Sequence, residues 1–481
     1  MEGLPFKVDY SVSTCMLILF EKPYICCDAF DDHKKYLIMK RPIIHLSVLL
    51  LSILILSAGT ACGNDELVSY LQSRALPLEK AADLDELVFV AGDRKLVLMG
   101  EASHGTREYY AWRDSISRRL IAEHGFNFIA VEGDWASLYE LNRYVKDLPG
   151  AASSARNVLE GLTRWPLWMW GNEEVIALAE WLRDFNQALP AEEKVGFYGK
   201  DVYDEWNSLE KLLSFLRQHN SDIYRQVRQQ YACFDPYSGD SWQYAQMVAR
   251  GAADCTRETK AVVDMMMQER NSFEDISDYD YFWALQNALV VKHAEKFYRK
   301  SITRRDASSW NSRVNYMNLT VNRLLDVYGP ASKGIVWAHN THIGDARFTT
   351  MSQQGQENIG HLARVDHGPE EVFLVGFATY EGTVKAGSQW GESMQKMQVP
   401  AAPPGSIEHI FEQTGLEKFY LVFDDDDRTH DAFMQPRGNR AIGVVYNPQN
   451  DRQQYVRTIV PLRYDALLFF RKTEALTPIH K

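Results

Sequence analysis

With 481 residues, 46% of them apolar and 24% charged, the chain is long enough to bury a large core. A formal net charge of −12 and the lack of a basic cluster argue against nucleic acid as a partner. Four of the six cysteines lie at or before residue 62, leaving Cys233 and Cys255 in the body of the chain. In an oxidising compartment they can pair, and isolated buried thiols are the alternative.

The N-terminal region reads as a targeting segment. Met39-Lys-Arg opens a basic stretch, Ile43–Ala58 is almost wholly apolar, and small residues lead to Cys62. That is the form of a secretory signal, and the run is short of the ~20 residues that span a bilayer. Residues 1–38 are expected to be an upstream extension, 39–61 the signal peptide, and 62–86 a linker with a first helix. A single N-terminal membrane anchor is the competing reading. Cys62 resembles the lipidated cysteine of bacterial lipoproteins, although Gly59 departs from that pattern. The expectation is an exported protein, periplasmic or anchored through lipid at Cys62.

The catalytic body is expected over 87–480, and its centre is Lys95–Trp135. Lys95–Gly100 suits a buried strand, and Glu101-Ala-Ser-His104-Gly follows at its carboxyl end. Thr106 can cap a helix with apolar positions Tyr109, Trp112, Ile116, Leu120 and Ile121, and Gly125 ends it. Phe126–Val131 is the second strand, with Glu132 directly after it. Strand, helix and strand make a parallel unit, whose carboxyl ends open on the edge where α/β sheets bind ligands.

Further along, Trp165–Trp170 is a dense aromatic patch that reads as core packing or as a substrate wall, with Trp168 a candidate for substrate contact. Val195–Tyr198 is a third strand ending at Asp201 and Tyr203. About 205–325 is helical almost throughout and reads as an insertion over the sheet edge. The fourth strand, Lys333–Ala338, runs into His339-Asn-Thr-His342. The fifth, Glu371–Ala378, ends at Thr379-Tyr380. Arg440–Tyr446 and Tyr464–Phe470 look like closing strands. Asp424–Asp427 suits a solvated turn, with a calcium site as the alternative. The fold expected is α/β: a mostly parallel central sheet flanked by helices, with the helical insertion over the carboxyl edge.

Separate strands thus carry Glu101, His104, Glu132, Asp201, His339 and His342 to one edge. Converging carboxylates and imidazoles mark a site where pKa values are moved for chemistry. A serine hydrolase is excluded, because no Gly-x-Ser-x-Gly elbow occurs. Two readings stay open. In one, Glu101, His104, Glu132, His339 and His342 hold a divalent metal that activates water. In the other, an imidazole held by a carboxylate deprotonates water directly, and a second imidazole with a cation stabilises the oxyanion.

Gly100-Glu-Ala-Ser-His104-Gly, Val131-Glu132-Gly-Asp, Trp337-Ala-His339-Asn-Thr-His342 and Arg463-Tyr-Asp-Ala-Leu-Leu-Phe-Phe470 resemble the erythromycin esterase family. The resemblance covers about Leu87 to Thr473 and is nearest the subgroup labelled erythromycin esterase-like or succinoglycan-biosynthesis protein. It implies hydrolysis of a carboxylic ester or lactone, macrolactones included, by water that a histidine activates, with no covalent serine intermediate; no cofactor is expected, with a divalent metal left open. It further implies that His104 is the general base and that Glu101 or Glu132 holds it. Arg113, the helix arginine, orients a carboxylate or stabilises the oxyanion. One of His339 and His342 polarises the carbonyl or protonates the leaving alkoxide. Asp201, Tyr203, Trp168 and Tyr380 are the substrate-binding candidates, and the partner is a small-molecule ester or lactone. A haem- or ligand-binding protein without esterase activity, with His104 and His339 as ligands, is the non-enzymatic alternative.

Overall fold

The computed structural model describes residues 65–237, 239–304 and 306–480. The expected extension, signal peptide and Cys62 lie outside them. Eleven strands run in chain order: β1 (Leu76–Pro77), β2 (Leu96–Met99), β3 (Phe128–Asp134), β4 (Gly196–Asp201), β5 (Gly334–Trp337), β6 (Val372–Ala386), β7 (Gln395–Val399), β8 (Lys418–Val422), β9 (Arg437–Arg440), β10 (Tyr455–Thr458) and β11 (Ala466–Thr473).

The main sheet has the order β1-β8-β11-β6-β2-β5-β3-β4, with β7 hairpinned onto the far end of β6. From β11 through β4 every pairing is parallel, and β8 and β1 close one side antiparallel. Successive residues of the central strands enter opposite cores. Leu96, Leu98, Phe128, Ala130, Val336 and Leu374 pack on one face. Val97, Met99, Ile129, Val131, Ile335 and Val375 pack on the other. Helices cover both faces, which is why these strands read as continuous apolar runs with no polar alternation.

The connection from β2 to β3 is helix α1 (Arg107–His124), and its chain crosses over β5, which lies between the two strands. Gly125 ends α1 in the left-handed conformation, φ 70°. Thr106 stands at the N-cap as expected, yet its hydroxyl bonds the Ser103 hydroxyl and leaves the helix amides alone. The expected insertion is built by α2 (Glu205–His219), α3 (Ser221–Tyr231), α4 (Ser241–Ala249), α5 (Thr256–Gln268), α6 (Asp278–Thr303) and α7 (Ser308–Tyr328). Cys233 and Cys255 form a disulfide across it, with Cα atoms 6.0 Å apart. Among the described residues no helix is long and apolar enough to cross a membrane.

Two expectations are corrected. Arg440–Tyr446 is no strand of the sheet: only Arg440 belongs to one, in a separate β9–β10 ribbon, and Ala441, Gly443 and Val444 line a cleft instead. The fifth strand does not stop at Ala378 but runs on to Ala386, because β7 pairs with its extension. The acidic tetrad, expected as a solvated turn, opens a short surface helix. Asp424 caps this helix through the Asp426 and Asp427 amides, and Arg74 is ion-paired with Asp424 and Asp427.

Candidate active site

In the sheet, β2, β5, β3 and β4 are consecutive neighbours, so the segments that leave their carboxyl ends meet. Two glycines let them meet closely. A side chain at Gly100 would collide with the Asn340 amide, and one at Gly105 with the backbone of Lys385.

His104 is buried apart from 7% of its surface, which faces a cleft of about 480 Å³. Its Nδ1 is 2.9 Å from Glu101 Oε1, and the other oxygen of Glu101 accepts from Arg113 Nη2 at 2.8 Å. With Nδ1–H donated to a carboxylate, Nε2 is the atom free to take a proton. Burial works against the imidazolium, but the bond to Glu101 and the charges of Glu132 and Glu101 outweigh it and raise the His104 pKa.

Arg113 is fully buried between the rings of Tyr110 and Trp337, 4.5 and 4.7 Å from their centroids. It therefore orients Glu101 and does not face the cleft, which removes the oxyanion role from its two expected roles.

The His339 ring lies 4.9 Å from that of His104, centroid to centroid. The Thr341 amide donates to its Nδ1 at 3.3 Å and the Thr341 hydroxyl lies 2.8 Å from the same atom; with Nδ1 accepting from both, the proton of the neutral ring is assigned to Nε2. Nε2 has no hydrogen-bond partner among the described residues although it is buried. Burial, aided by the nearby His104, holds the His339 pKa well below the usual histidine range. A neutral, orphaned N–H beside the candidate base is a donor awaiting a substrate oxygen.

The residue that ties the rest together is Arg313, in the second turn of α7. This helix leads back into β5, so its N-terminal end lies over the carboxyl edge. Arg313 Nε and Nη2 donate to the two oxygens of Asp201 at 2.8 and 2.6 Å, Nη2 also to Glu132 Oε1 at 2.7 Å, and Nη1 to His342 Nε2 at 3.2 Å. Burial alone would raise the Glu132 carboxyl, but His342, Arg313 and His104 hold it well below the carboxylate range. Its second oxygen accepts from the His339 amide at 2.9 Å and fixes that loop. His342 is stacked on Trp310, ring centroids 4.5 Å apart, and burial lowers its pKa. Its Nε2 lies 3.2 Å from Arg313 Nη1 and 3.3 Å from Glu132 Oε1, so that nitrogen is committed to the Arg313–Glu132 pair and not to the cleft.

Asp201 and Tyr203 both line the cleft, Tyr203 beneath the guanidinium groups of Arg164 and Arg313 at 4.8 and 5.1 Å. Two expected contacts fall elsewhere. Trp168 is packed in the core at 2% exposure, and its neighbours Pro166 and Met169 face the cleft in its place. Tyr380 lies inside the lengthened β6 with its ring toward His409, off the cleft wall. Sequence reasoning missed Arg313, Arg164, Trp310 and Trp390. Arg164 forms a two-bond pair with Asp134, and both tryptophans sit on the cleft wall.

A mostly parallel sheet with a carboxylate-held histidine at its carboxyl edge defines the class: an α/β protein with a cluster of acids and imidazoles where its central strands end. The chain belongs to the erythromycin esterase family, whose model matches residues 121–473. It is 27% identical over 126 residues to the erythromycin esterase type II of Escherichia coli, a match spanning 26% of this chain and 28% of that relative. Solved structures share the fold. A protein from Bacillus cereus has a TM-score of 0.73 at 20% identity, covering 87% of this chain and 99% of its own. A succinoglycan biosynthesis protein gives 0.70 at 21%, covering 86% and 98%. A mutant of the erythromycin esterase EreC in its open conformation gives 0.62 at 15%, covering 83% and 97%.

Proposed function

We propose that the protein hydrolyses a carboxylic ester or lactone with a water molecule that His104 deprotonates. The observation that carries this is the pairing of His104, oriented by Glu101, with the orphaned Nε2–H of His339 one ring away. The water held at His104 Nε2 attacks the carbonyl carbon as its proton passes to the imidazole. The carbonyl oxygen becomes an oxyanion and accepts from His339 Nε2–H. The tetrahedral centre then collapses, and the His104 imidazolium returns the proton to the departing alkoxide. Arg313 is engaged by Asp201, Glu132 and His342, so its part is to hold these acids and the histidine loop.

The family supports esterase activity, and macrolactones are within the class proposed. An exported location, read from residues 39–62, is part of the same proposal, since an environmental ester or an acylated polysaccharide then comes within reach.

The divalent-metal reading fits less well. Arg313 already stands between Glu132, Asp201 and His342, where a metal would draw its ligands together. Among the described residues no group of three or more His, Cys, Asp or Glu is placed to hold a metal ion. Full turnover of p-nitrophenyl esters or a macrolactone after exhaustive chelation is the expected result. Loss restored by added metal would favour the metallohydrolase. Haem ligation by His104 and His339 fits poorly too, because rings 4.9 Å apart leave no room for a macrocycle between them.

Two variants test the roles assigned. His339→Ala removes the oxyanion donor and should lower kcat by about 10²–10³-fold. A change in KM alone would assign His339 to ground-state binding. Glu101→Gln removes the charge that raises His104. In the native enzyme activity falls as acid protonates the base, with the limb above the ordinary histidine value of about 6.5. In the variant that limb moves to lower pH, and the plateau drops by about 10²-fold or more as the tautomer is no longer fixed. An unmoved limb in the kcat/KM profile would reject the Glu101–His104 pair.

A further inference from the structure

A second cavity, of about 640 Å³, opens beside the catalytic cleft and shares Arg164 and Trp390 with its wall. Its other sides include Trp165, Trp206, Trp242 and Tyr298. Two of these indoles stand in solvent: Trp242 is 39% exposed and Trp390 57%. Both are propped by another ring, Trp390 by Trp165 at 4.6 Å and Trp242 edge-on by Tyr298 at 5.0 Å. Aromatic surface held in water next to a reaction centre is a binding surface.

The charge of this groove is one-sided. Asp204, Glu205 and Asp240 line it. Among its described lining residues the one cation is Arg164, which is committed to Asp134 through two bonds of 2.6 Å. Asp204 accepts from the Ser137 hydroxyl and the Asn207 amide, and Glu205 from the Ser241 hydroxyl. Asp240 spends one oxygen capping α4 through the Gln243 amide. These partners are neutral. Burial pushes Asp204 up to about 6 and Glu205 up to about 7, neighbouring acids add to both rises, and Arg164 offsets only part of them.

An anionic group would be repelled here, and a neutral one would leave the acids unmatched. A compact cation meets both features, since indole faces and carboxylates each attract it. We infer that the groove binds the part of the substrate remote from the ester, and that it selects a tertiary or quaternary ammonium group. The inference rests on the hydrolase reading and narrows its substrate class to esters bearing a cationic amine.

The test uses two esters of one acid that differ only in charge: the choline ester and the 3,3-dimethylbutyl ester, in which carbon replaces nitrogen. The whole enzyme should favour the choline ester in kcat/KM by roughly 10-fold, the scale of one partly desolvated cation–aromatic contact. Trp242→Ala and Asp240→Asn should each bring that ratio toward one. Tetramethylammonium should quench tryptophan fluorescence saturably, and less so in Trp242→Ala. Equal turnover of the two esters without saturable quenching would overturn the inference and leave the esterase standing. Quenching that Trp242→Ala abolishes, with neither ester turned over, would uphold the groove and sink the hydrolase reading. The absence of both would overturn both.

Discussion

Replacing His104 with alanine should lower ester turnover by about 10³-fold or more, at the upper end of what a positioned general base contributes. The site makes this a clean experiment. Glu101 keeps its ion pair with Arg113 when the imidazole is gone, so no buried charge is left alone. Circular dichroism and the unfolding midpoint should therefore stay near those of the native protein while kcat/KM collapses. The acid limb of the pH profile should vanish with it, because the group that titrates there is removed. Added imidazole should restore part of the rate by entering the vacated space. Native-like turnover in the variant would end the proposal that His104 activates the water.

Arg313→Met should be the most damaging single change to the architecture of the site. It strips the shared cation from Glu132 and Asp201, which are 6% and 2% exposed. Removing one partner of a buried ionic cluster costs about 3–5 kcal/mol, because the remaining charges are neither paired nor hydrated. Urea unfolding should show that loss as a lowered midpoint, and activity should fall below detection. Glu132 would then protonate at higher pH and release the His339 amide it accepts from, moving the donor away from His104. Arg313→Lys keeps the charge without the planar fork and should fall between native and Met in both stability and rate. A methionine variant of native stability would show that the acids find other partners.

The contrast between these residues shows what the chain reveals before folding. The central strands were legible because a sheet covered on both faces demands unbroken apolar runs, and the chemistry-bearing residues follow directly where those runs stop. Glu101, His104, Glu132, Asp201, His339 and His342 were found in this way, and all gather at one edge. Tyr380 was misplaced by the same rule, since β6 continues past the core as a hairpin arm and its apolar run ends before the strand does. Strands β1 and β8 escaped notice because they are short, two and five residues. Trp168 looked identical in sequence to a cleft wall, and only packing decides between the two. Arg313 was hidden for a different reason. It sits within a helix of ordinary amphipathic pattern, and the acids it neutralises lie 181 and 112 positions earlier in the chain.

That separation has a consequence for how the molecule reaches its working state. Until α7 has docked, the carboxyl edge of the sheet holds two acids with no guanidinium between them, and the histidine loop lacks its anchor. The insertion is therefore a keystone as well as a roof: a polypeptide halted before residue 313 lacks both the cation that holds Glu132 and Asp201 together and β5, the strand that joins β2 to β3. Competence therefore waits on residues beyond position 312, which bring the shared guanidinium and then the strand that closes the gap in the sheet.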